Sequence, residues 1–268
     1  TAVAARLIIA CGILLPYMRL QGLRFPAFAL LGNNDTAKLW SAMIIVSLLG
    51  SAIPFVLIMW AQTKVDSGLA SIIIASAPLT TLLMAHFLVP AERMTPLKAA
   101  GFVTGFIGVC VLLGPQALST LGIDETFWHM LAIFIAAMCY GASIIAARLA
   151  PQTDPNVTGT LITVIAAIVL IPLAALFEQP WQMDLPSSTA LLCLLALGIF
   201  STAIGNIAFF IAIGRAGATF VSTANYLLPV WAVMLGVALF GEVLTPATLI
   251  GMAMILGGVG LSEWRKSA

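Results

Sequence analysis

The chain has 268 residues, of which 62% are hydrophobic and only 8% charged, with a formal net charge of +1 and a mean hydropathy of +1.13. Soluble domains carry roughly 25% charged residues, so the composition excludes a soluble globular enzyme, and the absence of a basic surplus excludes a nucleic-acid partner. What remains is an all-α polytopic protein whose first partner is the lipid bilayer.

A helix needs about 20 apolar residues to cross roughly 30 Å of hydrocarbon. The first such stretch runs from about Thr1 to Leu20, with Arg6 close enough to one end for its guanidinium to snorkel to the headgroups. Eight uncharged runs follow: Leu39 to Thr63, Ser67 to Ala91, Ala99 to Ile123, Thr126 to Ala147, Pro155 to Phe177, Leu185 to Gly214, Ala216 to Gly241 and Val243 to Ser262. Nine transmembrane helices are therefore predicted.

The runs are not independent. KVDSGLASIIIASAP, from Lys64 to Pro78, aligns with RAGATFVSTANYLLP, from Arg215 to Pro229, at an offset of 151. Ser71 pairs with Ser222 and Pro78 with Pro229. After one deletion the offset becomes 150, pairing Thr95-Pro96 with Thr245-Pro246, Gly101 with Gly251 and Gly108 with Gly258. Residues 1–117 thus read as one repeat and 124–264 as a second. The second opens with a helix near Thr126 whose counterpart falls about 25 residues before Thr1. The arithmetic predicts a ten-helix pattern, five per repeat, with the first helix missing from this sequence.

An odd number of helices per repeat inserts the second half upside down relative to the first. Basic residues collect on cytoplasmic loops, and a cytoplasmic C-terminus places Arg19, Arg24, Lys38, Arg93, Lys98, Arg148, Arg215, Arg265 and Lys266 inside, against Arg6 and Lys64 outside. The predicted location is a bacterial inner membrane.

Pro78 and Pro229 fall near the middle of their spans, where a proline removes one backbone hydrogen bond and disturbs the preceding turn. Paired kinks around a cavity and plain helix curvature both fit. Ser222, Asn225, Tyr226 and Pro229 share one helix face by their i, i+3, i+4, i+7 spacing; Thr202, Gly205 and Asn206 form a similar stripe, and so do Tyr140 and Ser143. Such faces serve either inter-helix bonding or substrate contact. Thr95-Pro96 and Thr245-Pro246 read as helix starts. Glu92 and Glu242 precede them, suited to the helix dipole, with a coupling role as the other reading.

Gly101-x3-Gly105 and its neighbours form small faces for close helix approach, within the chain or in a homodimer. His86 and His129 are read as hydrogen-bonded or interfacial, with titration near neutrality as the alternative. Trp40, Trp60, Trp128, Trp181 and Trp264 lie near predicted span ends as belt residues, whereas Trp231 is deeper and a pocket candidate. Cys11, Cys110, Cys139 and Cys193 lie in apolar runs without metal-ligand spacing, so no metal or other cofactor is expected. No HExxH, GxSxG or phosphate-binding loop occurs, and no acid lies mid-span, which argues against an enzyme and against an ATP-driven pump.

The motifs together resemble the EamA-like family of the drug/metabolite transporter superfamily across essentially the whole chain. The resemblance is carried by AARLIIACGILLP around Arg6, by SAPLTTLLMAHFLVPAERMTPLKAAGFVTGFIGVCVLLGP, and by NYLLPVWAVMLGVALFGEVLTPATLIGMAMILGGVGL. It implies a ten-helix bundle of two inverted halves around a central cavity, working as a secondary exporter of small metabolites, often amino acids or related compounds. A non-transporting membrane scaffold or sensor is the alternative. For a carrier, the cavity candidates are Ser71, Tyr140, Asn206, Ser222, Asn225, Tyr226 and Trp231. They offer hydrogen bonds and an aromatic surface rather than fixed charge, which favours a zwitterion or neutral compound over a doubly charged one.

Overall fold

The computed structural model describes residues 1–26, 34–89, 94–119, 125–151, 153–182, 186–208, 211 and 227–263. Among these the regular structure is entirely helical. α1 is Ala2–Leu20; α2, Asn34–Ser47, continues through a π-helical segment, Leu48–Ala52, into α3, Ile53–Ala61. α4 (Ser67–Ile74) and α5 (Ala77–Leu88) share one span, followed by α6 (Pro96–Ser119), α7 (Glu125–Leu149) and α8 (Pro155–Phe177). α9 (Ser188–Ala196) runs into a second π-helical segment, Leu197–Ile204; α10 is Leu227–Phe240 and α11 Pro246–Glu263.

Six stretches are long and apolar enough to cross a membrane: Ala2–Leu20, Asp35–Ala61, Ser67–Leu88, Glu125–Leu149, Pro155–Phe177 and Ser188–Ala208. Pro96–Val111, Trp231–Phe240 and Pro246–Leu261 are apolar but shorter over the described residues. Large apolar side chains point outward, with Phe87 75% and Phe177 80% exposed, as a lipid-facing surface requires. The protein is a polytopic helical membrane protein.

Local chemistry sets the helix starts. Asp154 and Ser187 cap α8 and α9, accepting from the backbone N–H groups of Asn156 and Ala190. Thr95 Oγ1 accepts from Lys98 N and Thr245 Oγ1 from Thr248 N, so both Thr-Pro pairs open a helix as their sequence predicts.

The chain forms two compact units, Thr1–Ala52 with Ala146–Val221, and Ile53–Ile145 with Ser222–Ala268. Each draws on both sequence repeats, because helices find their packing faces across the duplication.

In the first unit α1 packs on Leu197–Ile204 and on α8, while α8 packs on α2 and on Leu48–Ala52. Ser47 Oγ donates to the Ile162 carbonyl at 2.6 Å across that second seam. The two π-helical segments occupy equivalent repeat positions, since the 151-residue offset carries 48–52 onto 199–203. Trp40, expected as a belt residue near a span end, is enclosed by protein. It is 9% exposed and packs with Leu39, Met43, Leu161 and Ile165, because the helix begins six residues upstream of it, at Asn34.

In the second unit α6 packs on α11, α10 on α4, and α5 on α6, around Ile72, Ile73, Leu79, Met130, Ile133, Ile255 and Val259. The α6–α11 contact is built on glycine. A Cβ on Gly258 would lie 2.5 Å from Gly105 N and 2.8 Å from Gly105 Cα, and one on Gly108 would lie 2.9 Å from the Gly251 carbonyl oxygen. Gly258 also faces the Gly101 carbonyl, so the contacts cross over, the late glycine of each helix meeting the early glycine of the other. The two helices therefore run antiparallel, and this part of the glycine signal is used inside the chain.

Gly258→Ala forces backbone apart and is expected to cost about 1–3 kcal/mol by overpacking. Gly257→Ala, whose Cβ meets nothing within 4 Å, is expected to cost nothing. Thermal unfolding of the purified variants in detergent checks the contrast.

Candidate substrate pathway

The span Ser67–Leu88 is broken, not merely bent. α4 ends at Ile74, Ala75 and Ser76 form a turn, and Pro78 is the second residue of α5. Pro78 has no N–H for the Ile74 carbonyl four residues back, and its ring crowds that oxygen. The turn is secured by Ala75 N donating to the Ser71 carbonyl and Ser76 N to that of Ile73, both at 3.0 Å. The buried Ser76 hydroxyl also donates to the Ile73 carbonyl, at 2.7 Å.

α7 passes close beside this break. A Cβ on Gly141 would lie 2.8 Å from Thr80 Cβ, 2.9 Å from Thr81 N and 3.0 Å from the Ala77 carbonyl oxygen. Tyr140, half-buried, and Ser143, whose hydroxyl donates to the Tyr140 carbonyl at 2.8 Å, flank that glycine. Ser71 is half-buried one turn before the break, its hydroxyl donating to the Gly68 carbonyl at 2.7 Å.

The start of α4 lacks a cap of its own, since the Asp66 side chain makes no capping bond. Glu242 supplies one. Its Oε1 accepts from Ser67 N at 3.0 Å and Ser67 Oγ at 2.8 Å, and its Oε2 accepts from Gly68 N at 3.0 Å. Gly241, at φ +65°, turns the chain back after α10, with Glu242 N donating to the Gly236 carbonyl at 3.2 Å. Gly68 and Gly236 leave the space the carboxylate fills; a Cβ on Gly236 would lie 2.7 Å from Glu242 Cδ. The helix-dipole expectation for Glu242 thus holds for a different helix, α4 rather than the one that follows it.

At the same end of this unit, Lys64 Nζ pairs with Glu125 Oε2 at 3.3 Å. His129, 2% exposed, donates from Nδ1 to the Glu125 carbonyl at 2.7 Å and stacks on Trp60 with centroids 4.0 Å apart. His86 Nδ1 accepts from Met94 N at 3.0 Å. Both histidines are hydrogen-bonded.

In the first unit the guanidinium of Arg6 bonds to hydroxyls of the second π-helical segment. Its Nε donates to Thr202 Oγ1 at 2.5 Å and its Nη2 to Ser201 Oγ at 3.2 Å. Asn206, half-buried, follows one turn beyond Thr202. Of the other cavity candidates, Trp231 is 57% exposed in α10, and Pro229 falls within the same helix. Ser222, Asn225 and Tyr226 lie outside the described residues. Sequence reasoning missed the Glu242 cap on α4, the Arg6 contact and both π-helical segments.

The fold defines the class as a polytopic helical membrane protein with an interrupted span, an architecture that secondary transporters use. Comparison with known proteins makes the assignment specific. The profile of the EamA-like transporter family matches residues 1–114 and 127–263, and the chain belongs to that family, among drug/metabolite-type transporters. An uncharacterized transporter of Archaeoglobus fulgidus is 24% identical over 88% of this chain and 82% of its own length. A probable terminal-alkyne amino-acid exporter of Streptantibioticus cattleyicolor is 29% identical over 78% and 68%. The uncharacterized inner membrane transporter YedA of Escherichia coli K12 is 26% identical over 94% and 78%. A solved crystal structure superposes with a TM-score of 0.64, covering 97% of this chain and 87% of the other at 22% identity, which extends the likeness to the fold.

Replacing Glu242 by Ala strips three bonds from the start of α4, and hydrogen bonds to charged groups contribute about 1.5–3 kcal/mol. The expected result is a loss of stability in that range, with Glu242→Gln losing less. Amide hydrogen exchange at Ser67 and Gly68 should accelerate in both variants.

Proposed function

We propose that the protein is a secondary carrier that exports a small metabolite, an amino acid or a related compound, by alternating access. The observation that carries the reading is the broken span at Pro78. Irregular backbone at membrane depth persists where it is buried in protein or lines a water-filled path, and discontinuous helices build the binding sites of many secondary transporters. The relatives named as transporters, one of them a probable amino-acid exporter, point the same way.

The arrangement behind alternating access is an inverted pair of five-helix repeats, nine spans of which fall in this chain, with the C-terminus in the cytoplasm of a bacterial cell. The crossed glycine contact of α6 with α11 supports it. So does the exchanged packing in the other unit, where α1 meets the second π-helical segment and α8 the first. Ser71, Tyr140, Asn206, Ser222, Asn225, Tyr226 and Trp231 are the residues that would meet the substrate.

Efflux of metabolites from cells overproducing the protein, followed by mass spectrometry, is expected to identify at least one exported small polar compound. Asn225→Ala, Asn206→Ala and Tyr226→Phe should lower its export by about tenfold, the effect of about 1.4 kcal/mol of lost transition-state binding. Unchanged export in all three removes the site assignment; no export of any compound removes the function. A reporter fused to Ala268 is expected to be active only in its cytoplasmic form.

A further inference from the structure

Arg6 occupies a place in the first unit that the repeat does not require. The backbone of α1 is held against the second π-helical segment at Gly198, where a Cβ would lie 2.7 Å from Ile9 Cγ2 and 3.2 Å from the Arg6 carbonyl oxygen. That contact sets the height at which the guanidinium meets Ser201 and Thr202. Thr202 in turn donates to the Leu197 carbonyl five residues back, at 3.1 Å, so its hydroxyl is fixed from both sides. Thr202 lies 14 residues inside one end of the span Ser188–Ala208 and six inside the other, within the apolar stretch and not at its edge. A cation at such depth is costly and marks substrate or ion pathways.

The duplicated seam is an internal control. The offset of 151 carries Arg6 onto Val157, and Ser201 and Thr202 correspond to Gly50 and Ser51. Val157 is 5% exposed, and the seam of α8 with α2 and Leu48–Ala52 closes with the Ser47 hydroxyl on the Ile162 carbonyl. The equivalent seam in the other repeat is held without a cation, and Arg6 brings a further chemistry to this one.

The side chains around it say what. A guanidinium presents its N–H groups in a planar fork that matches a carboxylate, a pairing that carries opposite charge and bidentate geometry where a hydroxyl offers neither. Ser201 is exposed whereas Thr202 is buried. An arriving carboxylate would replace Ser201 on Nη2 while Thr202 keeps Nε in place. Asn206, a turn further along, offers an amide to the rest of a zwitterion.

We propose that Arg6, oriented by Thr202 and screened by Ser201, is the carboxylate-binding subsite of the transported compound. The proposal rests on the carrier reading above and narrows it to carboxylate-bearing metabolites. Liposomes containing the full chain are loaded with an equimolar mixture of L-amino acids and their carboxamides, and release of each compound is followed by mass spectrometry against protein-free liposomes. Wild type is expected to release one or more acids at least about tenfold faster than the matching amides, the margin that about 1.4 kcal/mol gives. Arg6→Gln should abolish that preference by lowering acid release much more than amide release, and Arg6→Lys should restore part of it. Equal release of acids and amides by wild type, or an equal loss of both in Arg6→Gln, overturns the subsite while leaving the carrier intact. Release of neither class contradicts the carrier reading and the subsite with it. If Arg6→Gln fails to fold, Thr202→Val, which removes the partner of Nε, is read in its place, and an acid preference equal to that of wild type overturns the subsite.

Discussion

Three hydrogen bonds to one carboxylate hold the start of the broken span. Within a bilayer every backbone polar group needs a partner from the protein, and α4 begins with donors that its own Asp66 does not satisfy. Glu242 satisfies them from 174 and 175 residues away, and two glycines keep the space clear. α4 has only eight residues before the break that Pro78 imposes, so this short helix has one end fixed by charge and the other interrupted by proline. That combination, a rigid end and a weak point, is what a moving half-helix in a carrier requires.

Close packing provides the frame around it. Lipid tails are as apolar as leucine, so helices in a membrane associate by van der Waals fit and hydrogen bonds rather than by exclusion of water. The α6–α11 contact meets that demand with backbone-to-backbone approach at glycine, and α7 does so beside the break at Gly141. The glycine faces that a scaffold would need between subunits are thus in part occupied within the chain, which weakens that alternative. In the first unit hydroxyls do the joining, Ser47 on one seam and Thr202 on the other.

Much of this was legible in the residues, for identifiable reasons. Apolar run length set the helices, Thr-Pro pairs set two of their starts, and the mid-span proline marked the interruption, because each of these acts on its immediate neighbours. What escaped acts at a distance. Nothing near Glu242 in sequence reveals that Gly241 folds it back onto α4. The π-helical turns escaped because a local widening leaves no trace in apolar content, although their positions obey the same offset as the repeat. The contact of Arg6 with Ser201 and Thr202 escaped for the same reason as Glu242, since it depends on the height at which Gly198 meets α1.

The central claim is that the two sides of the membrane reach the broken span in turn. Single cysteines at Ser71 and Asn206, in a background with Cys11, Cys110, Cys139 and Cys193 replaced by serine, can be challenged with a membrane-impermeant thiol reagent from either side of oriented vesicles. The account predicts labelling from both sides and protection by a transported compound. Labelling from one side only, indifferent to every exported compound, would contradict it.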